Sequence, residues 1–293
     1  MNARAGTLYL VGTPIGNLED LSPRAGRILG EVAGILAEDT RRTRVLTRHL
    51  GISTPLLSLY AENEVARTGE VLARLSGGAS LALVSDAGMP LVSDPGERLV
   101  RRVLEAGHDV VPVPGPSAPL TALVASGLPV LPFAFLGFPP RRGKRRTDFL
   151  ERIRRSEETV VLFESPRRLT GLLRDLCALG ESERPAAVAR EMTKLHEEYR
   201  RGTVGSLARY YAGEERIRGE VTVVIGPSPG GGTTPGKGAE DARRVARALL
   251  NAGASVSRTA GELAARLGIR RNRAYRIVLE EASNPEIRRE DAK

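Results

Sequence analysis

One cysteine, no tryptophan, three histidines and a 4% share of aromatic residues are all that a chain of 293 residues offers for several kinds of chemistry. A lone thiol, Cys177, closes off any disulfide framework or thiolate metal cluster. It lies in the apolar helical stretch 172–179, so it is expected to be a small core residue in a reducing compartment. His49, His108 and His196 are far apart and lack ligand spacing, so no metal is expected. The scarcity of aromatics excludes a broad base-stacking platform. No apolar run reaches the length of a bilayer span, and the first, residues 8–11, is too short for the core of a signal peptide. A cytoplasmic protein with no membrane partner is expected.

What the chain has in excess is arginine. The only lysines are Lys144, Lys194, Lys237 and Lys293, yet the formal net charge is +9 and the isoelectric point lies near 10.2. Such a surface favours a polyanionic partner, because cations that neutralise phosphates release condensed counterions. Guanidinium groups suit bidentate phosphate contacts, although genome composition also produces an arginine bias. Hydrophobic residues make up 41%, enough for real cores, and the length exceeds one ordinary domain.

Short apolar runs at residues 7–11, 34–37, 80–85 and 109–113 predict buried strands that alternate with helices. Ser22-Pro23 and Asp94-Pro95 read as helix starts, and residues 64–75 have helical apolar spacing at Val65, Val71, Leu72 and Leu75. A second set of strands is expected at 132–138, 159–163, 186–191 and 220–225, with helices over 148–155 and 166–179. The fold class is therefore α/β, with two α/β domains at residues 1–116 and 117–228. Residues 229–238 carry Gly, Pro and Thr and read as a linker. Beyond it, residues 239–285 read as a small helical domain with a helix-turn-helix pattern. Its last helix places Arg270, Arg271, Arg273 and Arg276 around Tyr275, which reads as a nucleic-acid contact or as a solvated basic face.

Two turns carry most of the site information. Residues 83–96 read Leu-Val-Ser-Asp-Ala-Gly-Met-Pro-Leu-Val-Ser-Asp-Pro-Gly, and residues 111–119 read Val-Pro-Val-Pro-Gly-Pro-Ser-Ala-Pro. Each follows a strand, where glycines at 88, 96 and 115 admit a ligand close to the backbone and prolines stiffen the loop. Asp86 and Ser117 add an acceptor and a hydroxyl suited to the polar end of a cofactor. Either loop alone also reads as a plain strand-to-helix connection. A nicotinamide dinucleotide site is the rival, but the glycine spacing after the first strand fails and Pro14 removes an N–H that a pyrophosphate would use.

These turns, with residues 8–18, Ala37-Glu38-Asp39-Thr40-Arg41, Leu136-Gly137-Phe138-Pro139-Pro140, Phe163-Glu164-Ser165-Pro166-Arg167-Arg168, Arg190-Glu191-Met192-Thr193-Lys194 with Glu197-Glu198, and Gly219-Glu220, carry a resemblance. The chain resembles the tetrapyrrole methylase superfamily of S-adenosylmethionine (SAM) dependent methyltransferases, and within it the branch that methylates small-subunit ribosomal RNA. One departure is clear: where that branch usually has histidines before an Asn-Glu pair, this chain reads Tyr60-Ala61-Glu62-Asn63-Glu64, so no role for imidazole transfers. The resemblance implies a SAM cleft between the two α/β domains. It would be lined by Pro14 and Ile15, by Asp86, Gly88 and Met89, by Ser117 and Ala118, and by Phe163 and Thr222. It further implies 2′-O-ribose methylation of a cytidine in the decoding region of 16S rRNA, on the small ribosomal subunit, by a homodimer.

For proton removal the residues themselves offer Glu191 or Lys194, in the densest titratable stretch, although a surface ion-pair array reads equally from the same pattern. Arg41, Arg167 and Arg168 are candidates for gripping phosphates, and Arg141, Arg142, Lys144, Arg145 and Arg146 for a flap over RNA. Two competing functions share the cofactor: a tetrapyrrole C-methyltransferase, and a nucleic-acid-binding protein that senses SAM without catalysis.

Overall fold

The computed structural model describes residues 6–228, 237–267 and 271–282. The chain divides into two compact units, Met1–Ser228 and Pro229–Lys293.

The first unit opens with β1 (Thr7–Val11), α1 (Pro23–Glu31), β2 (Ile35–Ala37), α2 (Thr40–His49), β3 (Leu56–Ser58), α3 (Glu64–Ser76), β4 (Leu81–Val84), α4 (Glu97–Glu105) and β5 (Asp109–Val113). Their five strands form a wholly parallel sheet in the order β3-β2-β4-β1-β5. Both faces are covered, which is why β4 reads as an unbroken apolar run. Leu29, Ile35 and Val11 pack with α1 on one face, and Leu36, Leu81, Val71 and Leu99 pack with α3 and α4 on the other.

The chain continues through α5 (Ala118–Ala125), β6 (Phe133–Phe135), α6 (Lys144–Arg154), β7 (Thr159–Glu164), α7 (Pro166–Ala178), β8 (Pro185–Arg190), β9 (Glu198–Thr203), α8 (Val204–Ala212) and β10 (Val221–Ile225). The second sheet runs β6-β7-β10-β8-β9, parallel only between β6 and β7. Leu162, Val188 and Val223 face α6, α7 and α8, while Val161, Ala187 and Val224 face α5 and Ile15 from the β1 loop. Ile15 therefore belongs to the core of the second sheet although it follows a strand of the first.

Several expectations change. Helix α4 starts at Glu97, capped by Gly96 at φ 121°, so Asp94-Pro95 stays in the preceding loop. Val65 is 60% exposed and Val71 takes the buried position on α3. Helix α6 begins at Lys144, four residues before the expected 148, so Lys144, Arg145 and Arg146 lie in a helix rather than in a flap. Arg146 is anchored to Asp175 at 2.6 Å. The sequence does not announce the edge strands β3 and β9 or the helices α2 and α8, whereas α5, with Ser117 at its N-cap, follows the strand-to-helix reading of the 111–119 loop.

The second unit contains α9 (Lys237–Asn251), α10 (Val256–Leu267) and α11 (Arg271–Ala282), which bury Ala246, Leu263, Ala274 and Val278 against one another. Arg247 pairs with buried Glu281 at 2.8 Å, joining α9 to α11. Of the expected linker 229–238, residues 229–236 lie outside the described residues.

One buried cation staples the second sheet. The Arg184 side chain is fully buried and donates to Gly226 O (2.7 Å) and Ile153 O (2.8 Å), with Glu181 Oε2 at 3.1 Å. Removing such a group leaves carbonyls and a carboxylate without donors. Arg184→Met should lower the unfolding free energy by about 3–5 kcal/mol in denaturant titration. A loss under about 1 kcal/mol would mean that water substitutes for the guanidinium.

Candidate functional site

The site begins where the parallel sheet ends. After β1 the chain needs room: a Cβ on Gly12 would come within 2.7 Å of Gly115 Cα and of Met89 Sδ. The two glycine backbones thus let the β1 and β5 loops lie back to back. Thr13 N–H donates to Gly88 O (2.9 Å) and Gly88 N–H returns a bond to Thr13 O (3.1 Å), forming an isolated antiparallel bridge. The Thr13 hydroxyl donates to Ser85 O (3.2 Å). These bonds hold the β1, β4 and β5 loops as one platform facing the ends of β7 and β10.

Between platform and second sheet lies a cleft of about 380 Å³. Ile15, Asp86, Gly88, Met89, Ser117, Ala118, Phe163 and Thr222 line it, all of them expected. Pro14 does not: it is half-buried beside the cleft and passes the chain from the Thr13 bridge to Ile15. Other lining residues escaped the sequence reading, among them Arg42, Asp94, Phe138, Glu164, Met192 and Glu220. Asp94, Phe138, Glu164, Met192 and Glu220 lie inside the segments that carry the resemblance, and Arg42 directly follows one.

The cleft is acidic although the protein is basic. Asp86 Oδ1 accepts the Asp39 N–H (3.2 Å), and its other oxygen is 3.5 Å from Arg42 Nε. Burial, then the nearby charges of Glu38 and Asp86, push the Asp94 carboxyl up to about 6. Burial and Asp86 likewise raise Glu38. Such a field suits a ligand that carries positive charge.

Among the described residues, positive-φ backbone at non-glycine positions falls in two loops that carry cleft-lining residues. Among the described residues the non-glycine positions with positive φ are Leu91 (71°), Ser93 (76°), Glu191 (50°) and Thr193 (66°). They fall in the loop after β4 and the turn after β8, and each costs about 1–3 kcal/mol that the surroundings must hold in place.

Glu191 and Lys194 lie behind the lining. Lys194 Nζ is 2.9 Å from Glu191 Oε1 and 3.1 Å from Glu220 Oε2, and Glu220 N–H donates to Glu191 Oε1 (2.9 Å). Burial disfavours both charges, yet these bonds outweigh it: the Glu191 carboxyl is lowered and the Lys194 ammonium raised. Both shifts run away from what a proton acceptor needs at neutral pH, and the same bonds tie Glu220 to the turn that carries Met192.

The candidate phosphate ligands separate into two sets. Glu164 is buried; its Oε1 accepts the Ser165 N–H (2.8 Å) and lies 3.3 Å from Arg168 Nε. Arg168 also donates to Pro139 O (2.6 Å), so its guanidinium is committed to a carboxylate and a carbonyl. Arg41 pairs with Asp39 at 2.8 Å, which holds that carboxyl down at about 2, while the rest of its side chain is exposed. Arg141, Arg142, Lys144, Arg145 and Arg167 are exposed and form no ion pair among the described residues. Arg270 lies outside the described residues; Arg271 and Arg273 are in α11, with side chains outside the description. Among the described residues no group of three His, Cys, Asp or Glu is placed to hold a metal, and no helix is long and apolar enough to cross a membrane.

Residues 7–208, which hold the first sheet and all of the second but β10, match the Tetrapyrrole (Corrin/Porphyrin) Methylases family. A solved structure, uroporphyrin-III-C-methyltransferase from Thermus thermophilus, is 25% identical with a TM-score of 0.53, covering 75% of this chain and 94% of that one. Ribosomal RNA small subunit methyltransferase I of Synechocystis sp. is 41% identical over 276 residues, 94% of this chain and 98% of its own length. The protein of that name from Xylella fastidiosa is 48% identical over 221 residues, 75% of this chain and 81% of its own. The chain belongs to the tetrapyrrole methylase family and, within it, to the ribosomal RNA small subunit methyltransferase I group.

The contact between Gly16 and the turn after β8 closes one side of the site. A Cβ there would lie 2.5 Å from Lys194 Cγ and 2.9 Å from Met192 O. Gly16→Ala should therefore destabilise by about 1–3 kcal/mol in thermal unfolding. Gly69→Ala, inside α3 with open space around it, is the control and should be neutral or stabilising. Equal behaviour of the two would show that the turn yields freely.

Proposed function

We propose that this protein is a SAM-dependent 2′-O-ribose methyltransferase acting on a cytidine in the decoding region of 16S rRNA, presented by the small ribosomal subunit. The observation that carries the reading is identity of 41% over 94% of the chain with a small-subunit rRNA methyltransferase, together with the acidic cleft in a protein of net charge +9. The tetrapyrrole-methylating relative is 25% identical over 75% of the chain, a weaker likeness.

The cleft fits the cofactor. Asp86 and Asp94 complement positive charge, Gly88 at φ 84° leaves backbone open to a close ligand, and Ile15, Met89, Met192 and Phe163 provide apolar wall for an adenine. Ser117 adds a hydroxyl and Thr222 another. When bound, SAM supplies an electrophilic methyl group on a positively charged sulfur, for in-line attack by a ribose oxygen that gives up its proton. The chain contributes alignment: the bridged β1, β4 and β5 loops are fixed before any ligand arrives, so little ordering remains to be done. The exposed Arg141, Arg142, Lys144, Arg145 and Arg167, with Arg41, hold RNA phosphates, and Arg270, Arg271 and Arg273 extend that contact. Glu191 and Lys194 position the turn beside the reacting groups. The working form is a homodimer in the cytoplasm.

Two measurements test the reading. SAM affinity should depend on the Asp94 carboxyl, which is ionised above about 6 and neutral below it. A cation prefers the ionised form, so calorimetry should show affinity weakening as pH falls through 6, by up to about tenfold per pH unit, and Asp94→Asn should flatten the profile. A profile that strengthens on acidification would remove Asp94 from the site.

Methyl incorporation from labelled SAM should appear in unmodified small subunits and not in a tetrapyrrole precursor; the reverse overturns the reading, and no incorporation anywhere leaves a sensor. In the same assay Lys194→Met and Glu191→Gln should keep single-turnover rates within about tenfold of the parent, with an unchanged pH profile. A collapse beyond about a hundredfold for either would return proton transfer to that side chain.

A further inference from the structure

Phe138 is unlike the other phenylalanines. Of the five phenylalanines it alone is exposed, at 55%, and it lines the cleft at its rim. Its ring is not loose. It packs on Phe163 with ring centres 5.2 Å apart, and Phe163 packs edge-on against Phe135 at 4.9 Å. The loop beneath it is pinned from two helices. Arg168 of α7 donates to Pro139 O (2.6 Å) while held by buried Glu164, and Arg146 of α6 donates to Pro140 O (3.1 Å) while held by Asp175. Two arginines are thus withdrawn from the surface to fix one exposed ring.

The surroundings of that ring change sign over a few residues. On the cleft side stand the carboxylates of Asp86 and Asp94. On the other side Pro140 is followed by Arg141, Arg142, Lys144 and Arg145, exposed and without ion pairs among the described residues. An apolar, flat surface between a cationic run and the reaction site matches one nucleotide, with its phosphates on the outside and its base against the ring.

The 2′-hydroxyls of an RNA helix are displayed in a wide, shallow groove, whereas this cleft is walled by loops of two sheets, so a nucleotide turned out of its stack reaches further into it than a helical one. Enzymes that turn a nucleotide out hold its base against aromatic side chains. We propose that Phe138 is such a side chain: the base of the target nucleotide, once turned out of its stack, lies on the Phe138 ring while the arginines that follow hold its flanking phosphates. This rests on the reading of the chain as an RNA methyltransferase. It adds a substrate-binding residue and a requirement for extrusion of the nucleotide.

The test uses the full-length protein, unmodified small ribosomal subunits and labelled SAM, with SAM affinity measured separately by calorimetry. Phe138→Ala and Phe138→Leu should each lower kcat/KM for the subunit by about 10- to 100-fold, the loss expected for one base-aromatic stack. Phe138→Tyr and Phe138→Trp should stay within about threefold of the parent, since either ring offers a π-face. SAM affinity should remain within about twofold throughout, which also reports that each variant is folded. Leucine performing as well as phenylalanine overturns the inference, because apolar packing would then suffice. A parallel loss of SAM affinity also overturns it by assigning the ring to the cofactor. An active parent with an equally active Phe138→Ala sinks this inference alone, whereas a parent that methylates no small subunit sinks the RNA reading with it.

Discussion

The loop after β1 is the constraint on which the rest depends. Within five residues Gly12 lies against Gly115, Thr13 bridges Gly88, Ile15 enters the core of the second sheet, and Gly16 lies against the turn after β8. A side chain at Gly12 or Gly16 would collide with backbone atoms, which cannot rotate away as a lysine tip can. The loop is therefore a spacer of fixed thickness between two sheets. Its thickness sets the width of the cleft and the registry of everything that lines it.

Charge is divided by the same geometry. The loop that ends β4 carries Asp86 and Asp94 into the cleft, and burial together with the charges of Asp86 and of exposed Glu38 at the end of β2 lifts Asp94 to about 6. Arg41 on α2, Lys144 and Arg145 on α6 and Arg167 on α7 face outward, while Arg42 of α2 lines the cleft beside Asp86. A polyanion is attracted by the exterior and repelled by the interior, whereas a small, positively charged group gains from entering the cleft. Under the proposed function, that division separates a cofactor subsite from an RNA surface.

The positive-φ residues Leu91, Ser93, Glu191 and Thr193 show where folding energy is stored. Two of them, Glu191 and Thr193, lie in the turn that the Glu191, Lys194 and Glu220 cluster fixes at one rim of the cleft. The carbonyl bonds of Arg168 and Arg146 fix the Phe138 loop. Paired charges here act as braces, so their partners matter more than their sign.

Much of this was legible from residue order. Strands buried on both faces announce themselves as unbroken apolar runs, which made β1, β4, β7 and β10 readable, and glycine and proline after them marked the loops that reach the ligand. The edge strands β3 and β9 were not readable, because β9 is Glu-Tyr-Arg-Arg-Gly-Thr and buries too little to leave an apolar signature. Asp94-Pro95 has the chemistry of a helix start, yet Gly96 caps the helix and Asp94 turns into the cleft lining. Local pattern thus determined the sheet strands, the platform loops and the basic exterior. Tertiary structure alone decided which arginines stay free, since Arg168 and Arg146 find carboxylates and carbonyls on other elements. It also decided which carboxyl becomes hard to ionise, because burial and the field of distant charges depend on where the chain returns and not on which residue comes next.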